Sequence, residues 1–239
     1  MRGRVVTRCT VRSPRIRSAL TLAVVSDLHN GPYDDVLPDL RRADAILIPG
    51  DLMNRYQAGY DQAAAFLRDA ADCAPTFYAL GNHEWKSADR PAFWPLVEKS
   101  GVTVLDNRWV PFGGLALGGL SSAPRQAIRT AWLADMAAQP CFRLLMCHHP
   151  EWFAPYIRPY GLDLTVSGHA HGGQVQLLGY GIYAPGQGFF PKLTHGFYEN
   201  GRLLVSRGMT NSSGAPRWGN PCELILLRLV PGEEDAYEM

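Results

Sequence analysis

Leu20-Thr21-Leu22-Ala23-Val24-Val25-Ser26-Asp27-Leu28-His29 is an apolar run that turns polar within a few residues. The same change recurs along the chain. Residues 44–49 run into Gly50-Asp51-Leu52-Met53-Asn54, and residues 76–80 into Gly81-Asn82-His83-Glu84. Residues 143–147 run into His148-His149-Pro150, and residues 163–167 into Gly168-His169-Ala170-His171. Short apolar runs bounded by polar loops predict the buried strands of a parallel sheet. The loops at the ends of such strands are where α/β proteins put their chemistry. Alanine-rich residues 60–71, at helical spacing, predict a helix between the second and third runs. Residues 102–105 and 115–119 predict two further strands, and 128–138 a second helix. After Gly172 glycine, proline and aromatics become dense, and short strands fit best at 174–178, 203–206 and 224–229. No repeat or linker divides the chain. The residues by themselves predict α/β with a β-rich end.

Six of the seven histidines lie in these polar clusters. Histidine, aspartate and asparagine together are ligands of first-row metals. Seven such groups exceed the needs of one ion and suit two ions sharing a carboxylate, the mark of a two-metal hydrolase. Asp27 and His29, like His169 and His171, stand two residues apart. In an extended segment that spacing would aim both side chains the same way. Gly50, Gly81 and Gly168 permit tight turns beside the ions. Two divalent cations against Asp27 and Asp51 leave residual positive charge, which suits a phosphoryl group.

The ordered set DxH, GDxxN, GNHE, H and GHxH resembles the calcineurin-like metallophosphoesterases, whose usual pattern is DxH, GDxxD, GNHD, H and GHxH. The resemblance covers roughly residues 20 to 230. The tail is similar to the YkuE-like or YaeI-like bacterial subgroup: Gly168-His169-Ala170-His171-Gly172-Gly173-Gln174 stands where that subgroup has GHTHGGQ. Leu204-Val205-Ser206-Arg207-Gly208 and Pro221-Cys222-Glu223-Leu224 match its "VSRG" and "PPEI" segments. The resemblance implies a four-layer α/β/β/α sandwich of two mixed sheets, forming one domain over residues 1–239 with a basic lead-in at 1–18. It implies Asp27, His29, Asp51 and His171 around one divalent ion. Around the other it implies Asp51, Asn82, His148 and His169, with Asp51 bridging. The ion of first choice is Mn2+, with Fe, Zn, Ni or Mg as alternatives. By the same resemblance His83 faces the phosphate and protonates the leaving group or stabilises charge. To be protonated beside two cations it would need a carboxylate or carbonyl partner, for which Glu84 and Asp51 are candidates.

These assignments predict a phosphoesterase that cleaves a phosphodiester or pyrophosphate bond through a metal-bound hydroxide, with Asp51, Asn82 and His83 as the catalytic set. A phosphomonoesterase and a UDP-diacylglucosamine-type nucleotide-sugar or lipid pyrophosphatase are the alternatives. An inactive scaffold of the same fold is the alternative from another class. The complete ligand set and His83 argue against the scaffold. Structural zinc would call for cysteine-rich clusters, which the chain lacks. The substrate expected is a phosphorylated small molecule or a lipid-linked one.

Composition adds bounds. The chain has 239 residues, 46% hydrophobic and 19% charged, with a net charge of +1. That is ordinary for a globule and gives no global pull toward nucleic acid, and no dedicated nucleic-acid domain is expected. Residues 1–17 hold Arg2, Arg4, Arg8, Arg12, Arg15 and Arg17 and no acid. They read as a solvated edge strand or lead-in, or as an arm for peripheral contact with an anionic membrane. The apolar stretch 19–25 has no cleavage site and runs straight into Asp27, so it reads as a strand rather than a signal peptide. No run is long enough for a membrane span, and the cytoplasm is the expected compartment. Five cysteines without CxxC spacing predict free thiols, with Cys147 in the core.

Several residues stay open at this level. Asn54 is a loop cap or a support for Asp51. His149 lies beside the site without ligating. His195 is surface or substrate contact. Arg207 and Arg217 form structural ion pairs or bind phosphate. Trp85, Trp152, Phe153, Tyr156, Phe189 and Phe190 are core packing or a wall for the leaving group.

Overall fold

The computed structural model describes residues 4–124, 127–178, 180–211 and 217–239. In chain order, β1 (Val5–Ser13) and β2 (Leu20–Val24) are followed by a short helix α1 (Leu37–Leu40), β3 (Ala45–Ile48), α2 (Asp61–Cys73) and β4 (Thr76–Tyr78). Next come α3 (Asn82–Lys86), α4 (Arg90–Lys99), β5 (Thr103–Val104), β6 (Arg108–Phe112) and β7 (Leu115–Leu120). Then α5 (Leu133–Ala137), β8 (Phe142–Cys147) and β9 (Leu164–Ser167). Two small hairpins pair β10 (Gln176–Leu177) with β11 (Tyr180–Gly181), and β12 (Tyr183–Ala184) with β13 (Gly188–Phe189). The chain ends with β14 (Gly196–Tyr198), β15 (Leu203–Val205), β16 (Glu223–Pro231) and β17 (Ala236–Glu238).

Two mixed sheets form the frame. One has the order β17-β1-β16-β2-β3-β4-β5, and the other β14-β15-β9-β8-β7-β6. β2 to β5 run parallel, as do β15, β9, β8 and β7. Alternation along the central strands builds the layers. Leu22, Val24 and Leu47 face Leu117, Leu144 and Val166 of the other sheet, while Ala23, Ile46 and Ile48 face Phe66, Leu67 and Ala70 of α2. On the far side, Leu145 and Cys147 pack with Leu133, Met136, Trp152 and Phe153. Helix, sheet, sheet, helix is the sandwich the resemblance implies. Among the described residues no helix is long and apolar enough to cross a membrane.

Two expectations are narrowed. Over the described residues the arginine-rich start is an ordered lead-in strand and not a free arm: β1 pairs with β16 along its length and with β17 over residues 10–12. Arg4 is bound to Asp35 and to carbonyl oxygens of Pro32 and Met209, Arg15 to Asp163 at 2.8 Å, and Arg12 lies 3.9 Å from Glu238. Arg2 lies outside the described residues. The helix expected at 128–138 is α5 alone. Only Leu133 and Met136 are buried among the described residues there, so only that turn gains packing, and packing is what sustains short helices.

Candidate metal centre

The polar clusters converge where the parallel strands of both sheets end. Asp27 and His29 follow β2, Asp51 follows β3 and Asn82 opens α3 after β4. His148 follows β8, and His169 and His171 follow β9. All seven side chains are buried. Donor atoms of Asp27, His29 and His171 lie within 4.8 Å of one another, and so do those of Asp51, His148 and His169. A third such group, His29, Asp51 and His83, joins the two. His29 Nε2 is 3.2 Å from His171 Nε2, and His148 Nε2 is 3.0 Å from Asp51 Oδ2.

The convergence does not come from extended backbone, as the two-residue spacing suggested. Asp27, His29, Asp51, His169 and His171 all have positive φ, between 47° and 68°. Tight left-handed turns aim these side chains inward. Such conformations cost about 1–3 kcal/mol each and persist only where the surroundings impose them. Asp and His tolerate them better than bulky residues do.

Hydrogen bonds fix the rings. His29 Nδ1 faces Met53 O at 3.2 Å and His148 Nδ1 faces Pro49 O at 3.1 Å. An Nδ1–H donated to a carbonyl leaves Nε2 as the free lone pair, the arrangement of a metal-ligating histidine. Burial pushes the His29 pKa down to about 3, and burial also lowers those of His169 and His171. Neutral imidazole is the ligating form. Burial works to lower His148 too, but the carboxylates of Asp51 and Asp27 overcome it and push it up to about 9. A cation at this site would compete with that proton.

The donor set fits divalent first-row metals: carboxylate and amide oxygen with imidazole nitrogen. Asn82 Oδ1 is buried and finds no hydrogen-bond partner among the described residues. A buried polar atom without a partner needs an explanation, and a cation in contact with it is one.

The sequence reading misplaced one carboxylate, Glu84, and missed another, Glu151. Glu84 does not serve His83. Its Oε2 accepts N–H from Asp51 at 2.9 Å and Gly81 at 2.7 Å, and its Oε1 accepts from Met53 at 2.9 Å. It thereby ties the loop after β3 to the start of α3. The signal was present: a glutamate at the third position of a helix often reaches back to cap it. Burial, and then the charge of Asp51, pushes Glu84 up to about 7. Glu151 accepts from His149 at 3.0 Å and lies 3.8 Å from His169 Nε2.

Around these groups lies a cleft of about 520 Å³. Asp51, Asn82, His83, His169 and His171 form its floor, Arg55 and Lys86 add charge, and Tyr56, Trp152 and Tyr183 add aromatic wall. Of the flanking aromatics, Trp152 lines the cleft and stacks on His149 with centroids 4.4 Å apart. Phe153 is core, Tyr156 packs against that core, and Trp85, Phe189 and Phe190 are exposed. Cys147 is core. Asn54 Oδ1 accepts N–H from Tyr56 at 3.1 Å, a loop cap. Arg207 pairs with Glu223 at 3.2 Å. Among the described residues Arg217 has no such carboxylate: it contacts the carbonyls of Arg207 and Thr210 and lies 3.0 Å from His171 Nδ1. His195 is half-buried against Gln176 and Thr194, outside the cleft lining.

The chain is similar to known proteins over most of its length. The family model for calcineurin-like phosphoesterases matches residues 20–173. An uncharacterized metallophosphoesterase of Campylobacter jejuni is 27% identical over 92% of this chain, which spans 61% of that relative's length. The uncharacterized metallophosphoesterase YkuE of Bacillus subtilis is 31% identical over 77% of this chain and 70% of its own. The phosphodiesterase YaeI of Escherichia coli is 26% identical over 57% of this chain and 52% of its own.

Proposed function

The chain belongs to the calcineurin-like phosphoesterase family, and from that premise we propose that it hydrolyses a phosphodiester or pyrophosphate bond using two divalent metal ions. Asp27, His29, Asp51 and His171 would hold one ion, and Asp51, Asn82, His148 and His169 the other. Mn2+ is the ion of first choice, with Fe, Zn, Ni or Mg as alternatives. When bound, such cations act as Lewis acids toward phosphoryl oxygens and acidify water.

The observation that carries this reading is the position of Asp51. Its carboxylate shares one donor group with His29 and His83 and another with His148 and His169. A single carboxylate between two donor sets is what a shared ligand requires.

The chain's own groups then divide the work. Asn82, its Oδ1 buried and unpartnered among the described residues, would give that oxygen to a cation and leave its amide N–H to hold a phosphoryl oxygen. His83 lines the cleft, buried and hydrogen-bonded at Nδ1, so its Nε2–H can serve the departing oxygen. Arg55 and Lys86 bring positive charge to the cleft for the substrate's negative oxygens. Trp152, Tyr56 and Tyr183 give the leaving group an aromatic surface. The name of the Escherichia coli relative favours a diester substrate. The five free cysteines fit a reducing compartment, and we place the protein in the cytoplasm.

The test uses metal-stripped protein reloaded with Mn, Fe, Zn, Ni or Mg and assayed on phosphodiesters, pyrophosphates and monoesters. Metal-dependent turnover of diesters or pyrophosphates supports the reading. No turnover with any metal on any substrate overturns it, and a clear preference for monoesters replaces it with a phosphomonoesterase.

A further inference from the structure

Among the described residues, most of the exposed large apolar side chains lie beside the cleft, on the two small hairpins. Leu178 is 90% exposed, Tyr180 77%, Phe189 75% and Phe190 75%, and Leu177 is exposed with them. Scattered exposed hydrophobics need no explanation, but a contiguous group marks an interaction surface. This group is contiguous. Leu177 pairs with Tyr180 across the first hairpin, and Tyr183 with Phe189 across the second. Ile182 joins the hairpins: its N–H bonds Val175 O at 2.8 Å, and its carbonyl accepts from Phe190 at 2.9 Å. Trp218, 70% exposed, lies alongside, its carbonyl accepting from Gln176 at 2.8 Å.

The turn chemistry argues that these side chains are outside for a reason. Leu178 and Phe190 have φ of 52° and 53°. Glycine or asparagine takes such positions at less cost. Bulky apolar residues there, turned to water, contribute neither conformational ease nor burial to the fold.

Charge narrows the partner. Residues 164–198 contain no carboxylate and include the exposed Lys192. The one carboxylate between Asp163 and Glu223 is Glu199, which is ion-paired with Arg158 at 2.6 Å. Apolar side chains on a segment that carries Lys192 and no acid of its own suit the headgroup boundary of an anionic bilayer, while Glu151, beside Gly186, lines the cleft. Of the N-terminal arginines, Arg4, Arg12 and Arg15 lie against Asp35, Glu238 and Asp163.

We propose that the hairpins at 176–190 dock into an anionic lipid surface and hold the mouth of the cleft against it. Tyr183, Pro185 and Gly186 of the second hairpin line the cleft, so the docked face and the site share a wall. The docking stands apart from the catalytic reading. Its consequence, that the preferred phosphoester sits in the plane of the membrane, rests on that reading.

The experiment uses the full chain, loaded with Mn2+, and the triple variant Leu178→Ser, Tyr180→Ser, Phe190→Ser. All three positions are exposed and outside the cleft lining, and circular dichroism verifies the fold. Co-sedimentation with vesicles of phosphatidylglycerol and phosphatidylcholine is measured beside vesicles of phosphatidylcholine alone. The expected result is binding to the anionic vesicles that falls at least tenfold in the variant. Hydrolysis of a soluble diester should be unchanged in the variant, while hydrolysis of a diester embedded in the vesicles falls in parallel with binding. No vesicle binding by the parent chain, or equal binding by the variant, overturns the proposal. Hairpin-dependent self-association in sedimentation velocity without vesicle binding also overturns it, in favour of a second copy as the occupant. Vesicle binding that depends on the hairpins, with no hydrolysis of any ester, leaves the docking standing and refutes the catalytic reading alone.

Discussion

The backbone N–H of Arg55 points at Nδ1 of His83 from 3.1 Å. An imidazole that accepts at Nδ1 carries its proton on Nε2 when neutral, and that atom lies 3.9 Å from Asp51 Oδ2. Burial lowers the pKa of His83; Asp51 works against that and Arg55 adds to it. Nε2–H is thereby available as a hydrogen-bond donor to the negative charge that develops on the departing oxygen. His83→Ala should keep most of its metal and lose about 10²–10³ in kcat, the scale of removing one such donor. Metal content measured beside turnover decides between roles. If the variant came out metal-free, His83 would be a ligand and not a donor.

Asp51→Asn should instead lose the metal. Its carboxylate stands between the two donor groups, and one oxygen also accepts the His83 N–H at 2.8 Å. A ligand that binds only the folded state at about a hundred times its Kd adds ~2.7 kcal/mol. For a chain of this size, that corresponds to roughly 5–10 °C in Tm. Chelation should lower the parent's Tm by that much, and the variant's Tm should not respond to added Mn2+. A variant still stabilised by Mn2+ to the same degree would remove Asp51 from its shared role.

Gly81→Ala tests the clamp between the loop after β3 and α3. A Cβ on Gly81 would lie 2.1 Å from Asp51 Oδ1 and 2.4 Å from Asp51 N. The φ of Gly81 is −87°, which any residue adopts, so the effect is steric. Overpacking of this kind costs about 1–3 kcal/mol, and the displaced group here is the shared carboxylate. Metal affinity should fall together with stability. A variant with full metal content and unchanged Tm would show that the two loops move apart freely.

The strand ends were legible because each apolar run was short, buried on both faces and followed at once by polar ligand types. That pattern belongs to central parallel strands, and β2, β3, β4, β8 and β9 all followed it. The N-terminal segment was harder to read because Arg4, Arg8, Arg12 and Arg15 are interspersed with Val6, Cys9 and Val11, and what balances Arg12 and Arg15 lies far away in sequence: Glu238 and Asp163. α4 carries Pro91 and an internal Pro95, residues that weaken any helical signal. The ligand residues were legible by type and order, but not how they converge. Their positive φ values are imposed by contacts between loops that no local spacing encodes. Glu151 gave no signal, because its partners His149 and His169 meet it only in the fold.

Arg143 and Asp163 offer a control at the opposite end of β8. Arg143 Nε lies 2.7 Å from Asp163 Oδ2 and its Nη2 2.8 Å from Oδ1, with both side chains at or below 10% exposure. Removing one partner of a buried pair costs about 3–5 kcal/mol because the other charge is stranded. Arg15, 2.8 Å from the same carboxylate, keeps part of the compensation, so Arg143→Ala should fall at about 3 kcal/mol in denaturant unfolding. Metal content and kcat should hold. A loss of metal would mean that strain travels the length of β8 to His148.

Trp152 decides whether the aromatic wall selects substrates. The side chain is only 6% exposed, lines the cleft and stacks on His149 at an interplanar angle of 19°. Burying apolar area is worth about 25 cal/mol per Å², so roughly 60 Å² of contact with a bulky leaving group amounts to ~1.5 kcal/mol, about tenfold in kcat/KM. Aryl groups also leave faster for electronic reasons, so substrates should be matched in leaving-group pKa and varied only in bulk. The parent enzyme should then prefer the bulky member by about that factor. Trp152→Ala should erase the preference and leave the rate on the small diester nearly intact, with assays run well below the variant's Tm. Equal losses on both substrates would mean that Trp152 acts only by supporting His149, and that the wall is packing without selection.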